Sequence, residues 1–230
     1  MGEAAVEKCM AEAGRIGIGL GCFIAIVFWA AEPANCQDQL SRVENNTFIS
    51  PENPGIRVSV DRKFKYIGSL PFTIETVASG NRYIFVQANP EKHIQRMFII
   101  QQEGILPSSD EIYRYKITAP AKLGSFDYRH SVMLYDNDAN IREEPGKEAD
   151  VTQRFLTAHE YLLEPELIMS RFARPADLDR KHEIIFFCYE NLSSYGHKLA
   201  DFREGLDSPE KQDIKHKVDE NCRHAFRVNH

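Results

Sequence analysis

The chain has 230 residues, 43% of them hydrophobic and 27% charged, with 28 Lys and Arg against 34 Asp and Glu and a formal net charge of −6. Mild acidity without a clustered basic face argues against a nucleic-acid partner, since a phosphate backbone is met by grouped Lys and Arg. The length suffices for one domain with a real core, and no internal repeat or low-complexity segment divides it.

Residues 1–36 read as a signal peptide or membrane anchor. Ile16 to Ala31 (IGIGLGCFIAIVFWAA) carries no charge and runs into Glu32-Pro33. Its sixteen residues, at about 1.5 Å each, make a helix of about 24 Å. That is short of the roughly 30 Å hydrocarbon layer, which takes about 20 residues to cross. A signal cleaved at Ala30 or Ala31, or after Ala34-Asn35-Cys36, is therefore expected over an uncleaved anchor at residues 16–31, and with it a periplasmic or secreted location. Membrane association is expected only if the segment stays. The lead is unusual, because Glu3, Glu7 and Glu12 outnumber Lys8 and Arg15 where a signal is normally positive; a start at Met10 gives a better balanced one. Gly19 and Pro33 stand three residues before Cys22 and Cys36, where a lipoprotein signal would carry Leu. Gly17 and Gly21 form a GxxxG pair that would admit a second helix if the segment spanned a membrane. Beyond residue 36 the chain holds 26 basic and 30 acidic residues, a charge of −4, and all eight His.

Cysteine usage follows from the compartment. Cys9 and Cys22 fall in the export segment and Cys36 at its boundary, which leaves Cys188 and Cys222 in the body. An oxidising space favours a Cys188–Cys222 disulfide over two free buried thiols.

Residues 37–54 read as an extended, polar lead-in. From residue 55 the period becomes two: Ile56, Val58 and Val60 alternate with Arg57, Ser59 and Asp61. Further strands are expected at Phe64–Gly68, Phe72–Val77, Arg82–Gln87, Gln95–Gln101, Glu111–Thr118 and Ser131–Tyr135. They are separated by turn residues such as Ser79-Gly80-Asn81, Asn89-Pro90 and Ala119-Pro120. Asp150 and Gln153 resemble a capping box opening a long helix over Asp150–Phe172, interrupted at Glu164-Pro165. Glu183 to Tyr189 (EIIFFCY) is the most apolar strand and is expected at the centre of the sheet. Ser208-Pro209 opens a C-terminal helix over 207–230 whose stripe is Ile214, Val218, Cys222 and Phe226. The expected fold is α+β: a curved antiparallel sheet or small β-barrel of seven to eight strands over residues 55–206, packed by the long helix and followed by the C-terminal one.

No motif identifies a reaction or a cofactor. GxSxG is absent, and no Gly-rich loop precedes a helix to cradle phosphate. Asp136, Asp138, Asn140 and Glu144 occupy oxygen positions of a calcium loop, but Ile141 and Lys147 stand where its Gly and closing Glu belong, so a solvated polar turn is expected. His159-Glu160 lacks the second His of a zinc protease, Leu163 being there instead. His216, Glu220 and His224 span two helical turns, too far for one ion, and read as a solvated face. Tyr113 and Tyr115, with Ile117, share one face of their strand, with Arg114 and Lys116 on the other; this is a ligand-stacking platform or, more simply, core. Asn45-Asn46-Thr47 and Asn191-Leu192-Ser193 are glycosylation sequons in a eukaryotic host.

The leading expectation is an exported, non-enzymatic protein that binds a small apolar ligand or a protein partner through its sheet. A second is an acid–base hydrolase or lyase assembled from His130, Asp127, His182 and Glu183, each beside a strand end. A third is an envelope or cell-surface interaction protein.

Overall fold

The computed structural model describes residues 41–51, 55–202 and 208–229. The segment expected to direct export, residues 16–31 within it, and Cys9, Cys22 and Cys36 lie outside the described residues. Eleven strands in this part form two antiparallel sheets. The smaller takes β1 (Arg42–Glu44), β2 (Thr47–Ser50), β3 (Ile56–Val60) and the C-terminal β11 (Phe226–Asn229), in the order β1-β2-β3-β11. The larger has seven strands, in the order β4-β5-β6-β10-β9-β8-β7. These are β4 (Lys65–Ile74), β5 (Ala78–Ala88), β6 (Ile94–Ile105), β7 (Ala121–Leu123), β8 (Phe126–Asp136), β9 (Glu166–Pro175) and β10 (His182–Asn191). Three helices accompany them: α1 (Asn137–Glu143), α2 (Glu148–Ala158) and α3 (Pro209–Ala225). The class is α+β, as expected, but the large sheet ends at β4 and β7 and does not close, so a barrel is excluded.

The local chemistry explains the elements. Asn45 and Asn46 take positive φ (48° and 57°) and turn β1 into β2; Asn tolerates this region better than other side-chain-bearing residues. The lead-in thus contributes a hairpin that pairs with Ile56–Val60. Phe64–Gly68 and Phe72–Val77 do not stand apart but run together as β4, an edge strand that can carry Pro71 because one side of its ladder is unpaired. The sheet bulges between Tyr66 and Gly68, where φ is +133° and a Cβ would sit 3.0 Å from the Phe155 ring of α2.

β10 is the fourth of seven strands and is covered on both faces. Ile184, Phe186 and Cys188 face the smaller sheet and pack with Phe48, Val58, Phe98, Phe172 and Phe226. Ile185, Phe187 and Tyr189 face the other way and pack with Leu156 of α2, Met97, Ile99 and Met169. This double burial is why EIIFFCY shows no alternation. Ile214 and Val218 of α3 cover Ile168, Leu192 and Phe202, and Cys222, on the same stripe, is bonded to Cys188 across 5.6 Å between Cα atoms.

Four further expectations change. The C-terminal helix expected over 207–230 ends at Ala225, and Phe226, expected on its stripe, opens strand β11 and pairs with Val60. The helix that begins near Asp150 starts at Glu148 and ends at Ala158, and Glu166–Pro175 is a strand. Leu167, Met169 and Ala173 point to one face while Phe172 points to the other, so apolar residues on both faces imitate a helical pattern. Glu111–Thr118 is not a strand but part of an irregular strap, residues 106–120, held by side chains that bind its carbonyls. Arg180 donates to the carbonyls of Tyr113 and Tyr115 (2.5 Å each), and Lys181 to those of Ser109 and Glu111 (3.0 and 2.8 Å). The polar segment after Asp136 is helix α1 rather than a turn, with the Asp136 carboxylate accepting from the Ala139 amide at 2.8 Å. Among the described residues no helix is long and apolar enough to cross a membrane.

Replacing Cys188 and Cys222 together by Ala is expected to cost about 2–4 kcal/mol of stability by releasing the closed loop. Urea unfolding of the double variant and of the native protein with and without reductant measures this, and mass labelling of native protein should leave both sulfurs unmodified.

Candidate functional site

The face of the large sheet turned toward α2 carries polar residues where an apolar core would be expected. Strand register stacks them in rows. Glu103 of β6 lies directly opposite Glu183 of β10, with Gly80 of β5 beyond Glu103. Two residues along, Arg82 lies opposite Gln101 and Gln101 opposite Ile185; in the next row Ile99 lies opposite Phe187 and Phe187 opposite Arg171. All belong to one face because side chains two apart point the same way. Gly80 is required here, since a Cβ on it would lie 2.1 Å from the Gln102 carbonyl oxygen.

A chain of hydrogen bonds connects α2 to this row. Arg82, 5% exposed, donates Nη1 to the Thr152 hydroxyl (2.7 Å) and to the Glu148 carbonyl (2.9 Å), and Nε to Gln101 Oε1 (2.7 Å). Gln101 Nε2 donates to Glu103 Oε2 at 2.5 Å. On the other carboxyl, the Tyr115 hydroxyl donates to Glu183 Oε1 from the strap. The Tyr113 hydroxyl is buried beside Glu103 without a well-formed hydrogen bond. Phe187 lies between two guanidinium groups, with Arg82 at 5.6 Å and Arg171 at 5.8 Å from its ring centre, a cation–π arrangement. The Arg171 guanidinium makes no hydrogen bond to a described residue, and the acid beside it, Glu183 Oε1, is 3.9 Å from Nη2. Above these residues is a cleft of about 300 Å³, with Asn140, Glu144, Glu148 and Ala149 on the helical side and Ile74, Met169 and Ile185 among its apolar lining.

Two buried carboxyls at directly opposed register positions cannot both be charged at low cost. Burial raises Glu183 most, Tyr115 and Arg171 oppose that, and Glu103 adds to it; the result is a carboxyl pushed up to about 8. Burial, then the neighbouring carboxyls, also hold the Tyr113 and Tyr115 phenols above their ordinary range, so both remain donors. Glu190, at the far end of the same strand, differs. It meets Arg96 Nε at 3.0 Å, Asn221 Nδ2 at 3.1 Å and the Tyr195 hydroxyl, a full set of partners for an ionised group.

Of the residues singled out in the sequence, Glu183, Tyr113 and Tyr115 come together here. The other acid–base candidates do not join them. His182 is on the opposite side of β10 and bonds Asp177 through Nδ1 at 2.5 Å; burial raises the Asp177 carboxyl, but His182 and two backbone amides outweigh it and hold it low. Asp127 pairs with Lys122 at 2.8 Å on the surface of the β7–β8 hairpin. His130 stacks on Phe172 under α3, with its Nε2 2.9 Å from Asp219 and 3.1 Å from the Ser170 hydroxyl. One ring nitrogen serves both neighbours and Ser170 is fully buried, so no serine-to-histidine-to-aspartate relay is built. Asp136 caps α1, Asp138 lies in its first turn, Asn140 donates to the Asp136 carbonyl at 2.6 Å, and Glu144 meets Lys147 at 3.2 Å. Among the described residues no group of three or more His, Cys, Asp or Glu is placed to hold a metal ion. His216, Glu220 and His224 lie on an exposed face of α3.

A carboxyl raised in the folded state binds its proton more tightly there than in the unfolded chain, so it contributes stability below its unfolded pKa and loses it as pH rises through the folded value. Stability is therefore expected to fall between about 4.5 and about 8 on account of Glu183. Glu183→Gln, which mimics the protonated group, should flatten that decline, matching the native protein near pH 4 and exceeding it at pH 9. Urea midpoints across this range measure the difference, and parallel curves for the two proteins would contradict the assignment. No protein-family model, curated protein sequence or solved structure matches the chain.

Proposed function

We propose that this is an exported protein that binds a small polar molecule in the cleft over β5, β6, β10 and β9, with the Glu103–Glu183 pair as the recognition element. The observation that carries the reading is the pairing of two buried carboxyls, directly opposed, with an arginine whose guanidinium makes no hydrogen bond to a described residue. A buried acid pair costs stability unless something is gained by it, and the Arg171 guanidinium reaches the cleft with its N–H groups uncommitted to the protein. Ligand sites are where such groups are retained, in a cleft with a few convergent polar side chains. The charged floor favours a polar ligand over the apolar one expected from the sequence, and the space between the two sheets is filled by Phe48, Phe85, Phe98, Phe186 and Phe226. The Cys188–Cys222 disulfide supports export, since such bonds persist in oxidising compartments.

A second reading, acid–base chemistry on the bound molecule, is favoured by one observation: a Glu183 carboxyl at about 8 is poised to give or take a proton near neutrality. In that reading Glu183 alone of the four acid–base candidates acts, with Tyr115 orienting it.

A thermal-shift screen of small polar molecules against the native chain tests the binding reading. A ligand at a hundred times its Kd should add about 2.7 kcal/mol of stability, and Glu183→Gln should abolish most of that gain. Hits that protect the variant as well as the native protein would place binding elsewhere. Following the hit by NMR for turnover separates binding from chemistry.

A further inference from the structure

We propose that the ligand of this cleft is an α-amino acid, its ammonium group received by the Glu103–Glu183 pair and its carboxylate by Arg171. The inference rests on the cleft being a ligand site and adds the class of molecule.

The carboxyl pair calls for one positive charge. Without a ligand a proton on Glu183 supplies it; an ammonium group supplies the same charge with three donors. The oxygens are arranged for this. Gln101 holds Glu103 by Oε2 and Tyr115 holds Glu183 by Oε1, which leaves each carboxyl a second oxygen for a further donor. Tyr115 and Gln101 fix where those oxygens lie, so the pair need not reorganise to receive an amine.

Arg171 calls for an anion. Arg82, on the other side of Phe187, is consumed by Gln101, Thr152 and Glu148. Arg171 is not: it lies over the ring at 5.8 Å in a cation–π contact, which leaves the N–H edge of its guanidinium available to a planar, bidentate acceptor such as a carboxylate. The separation from Glu183, 3.9 Å, is too long for a hydrogen bond, so the N–H groups of Arg171 are not committed to that carboxyl.

The two demands are adjacent. Glu183 and Arg171 are separated by 3.9 Å, and an α-amino acid carries its ammonium and carboxylate on a single carbon. Bound across them from the cleft, it completes an alternating ring of four charges: carboxylate, ammonium, carboxylate, guanidinium. A simple amine leaves Arg171 unmatched, and a simple acid meets the carboxyl pair, so each half alone is disfavoured. The side chain of the ligand would extend along Met169, Ile185 and Ile74, under a rim where Glu144 and Glu148 discriminate against an acidic one.

The test is calorimetry on the full chain with the twenty common L-amino acids one at a time. For the tightest binder it adds the amine lacking its carboxylate and the acid lacking its amine. The amino acid should bind at least ~10-fold more tightly than either partial molecule, a difference of about 1.4 kcal/mol. Arg171→Met should reduce its affinity to that of the amine, while the amine binds the variant at least as tightly as the native chain because a competing cation beside Glu183 is gone, which also shows that the variant is folded. Equal affinity for the amine or the acid, or an amino-acid affinity that Arg171→Met does not alter, overturns the inference. So does failure of all twenty to bind while another polar molecule binds in a Glu183-dependent way, and in that case the cleft remains a ligand site. If no molecule, amino acid or other, responds to Glu183→Gln, the cleft itself is not the site.

Discussion

The double burial of β10 is the constraint on which the remainder of this molecule depends. A strand fourth among seven, covered by the smaller sheet on one face and by α2 on the other, has no solvent to hydrate a polar side chain. Most of its positions are accordingly filled by Ile, Phe, Cys and Tyr, each large side chain contributing about 1.5–3 kcal/mol through burial. Its two glutamates, Glu183 and Glu190, are both buried, and they are treated differently. Glu190 is neutralised by Arg96 and given three donors, as a structural buried charge must be. Glu183 faces another carboxyl. Two acids on the same strand, one satisfied and one opposed, distinguish framework from site more clearly than burial alone does.

The elements around Glu183 are assembled from distant parts of the chain, and each is anchored by its main chain. The strap over residues 106–120 has no ladder of its own, so Arg180 and Lys181, in the connection before β10 and at its edge, bind its carbonyls. That stitching sets Tyr113 and Tyr115 over the carboxyl pair without requiring a strand. On the opposite wall Arg82 draws the first turn of α2 onto the sheet through Glu148 and Thr152. The carboxyl pair and the cleft above it are thus set between two irregular or helical segments, the strap over the pair and α2 beside the cleft, whose positions are fixed by arginines reaching to backbone oxygens. Charge here organises the walls before it meets any ligand.

Much of the framework was legible from sequence because single-face burial leaves a period. Ile56, Val58 and Val60 announced β3, and Ile214, Val218 and Cys222 announced α3, each facing one partner only. Where both faces are buried the period disappears. Glu166–Pro175 therefore looked helical, and Tyr113 and Tyr115 looked like a strand because their alternation reflects a strap anchored by its carbonyls. The site was partly visible: Glu183 and the two tyrosines stood out, but Glu103, Gln101, Arg82 and Arg171 did not. The signal that could have found them is a charged or amide side chain inside an apolar run, as in Met169-Ser170-Arg171-Phe172 and Ile99-Ile100-Gln101-Gln102-Glu103. Such residues in buried strands need a partner or a purpose, and only the register, which no single sequence specifies, shows that Glu103 is opposite Glu183.

β10 also shows how a costly site is maintained. Successive residues of a strand face opposite ways, so the carboxyl of Glu183 and the sulfur of Cys188 belong to different layers of the molecule. On the layer away from the cleft, Phe186 packs against Phe98, Tyr128 and Phe226, and the disulfide joins β10 to α3. Those contacts hold the strand in place without reference to what the other face contains. An unfavourable pair of carboxyls can then persist in register, because shifting the strand to separate them would turn every aromatic side chain away from its core. The strain of the opposed pair is relieved only by adding a charge between the two carboxyls, a proton or a ligand cation, and that is what couples a fixed backbone to a site that responds to its surroundings.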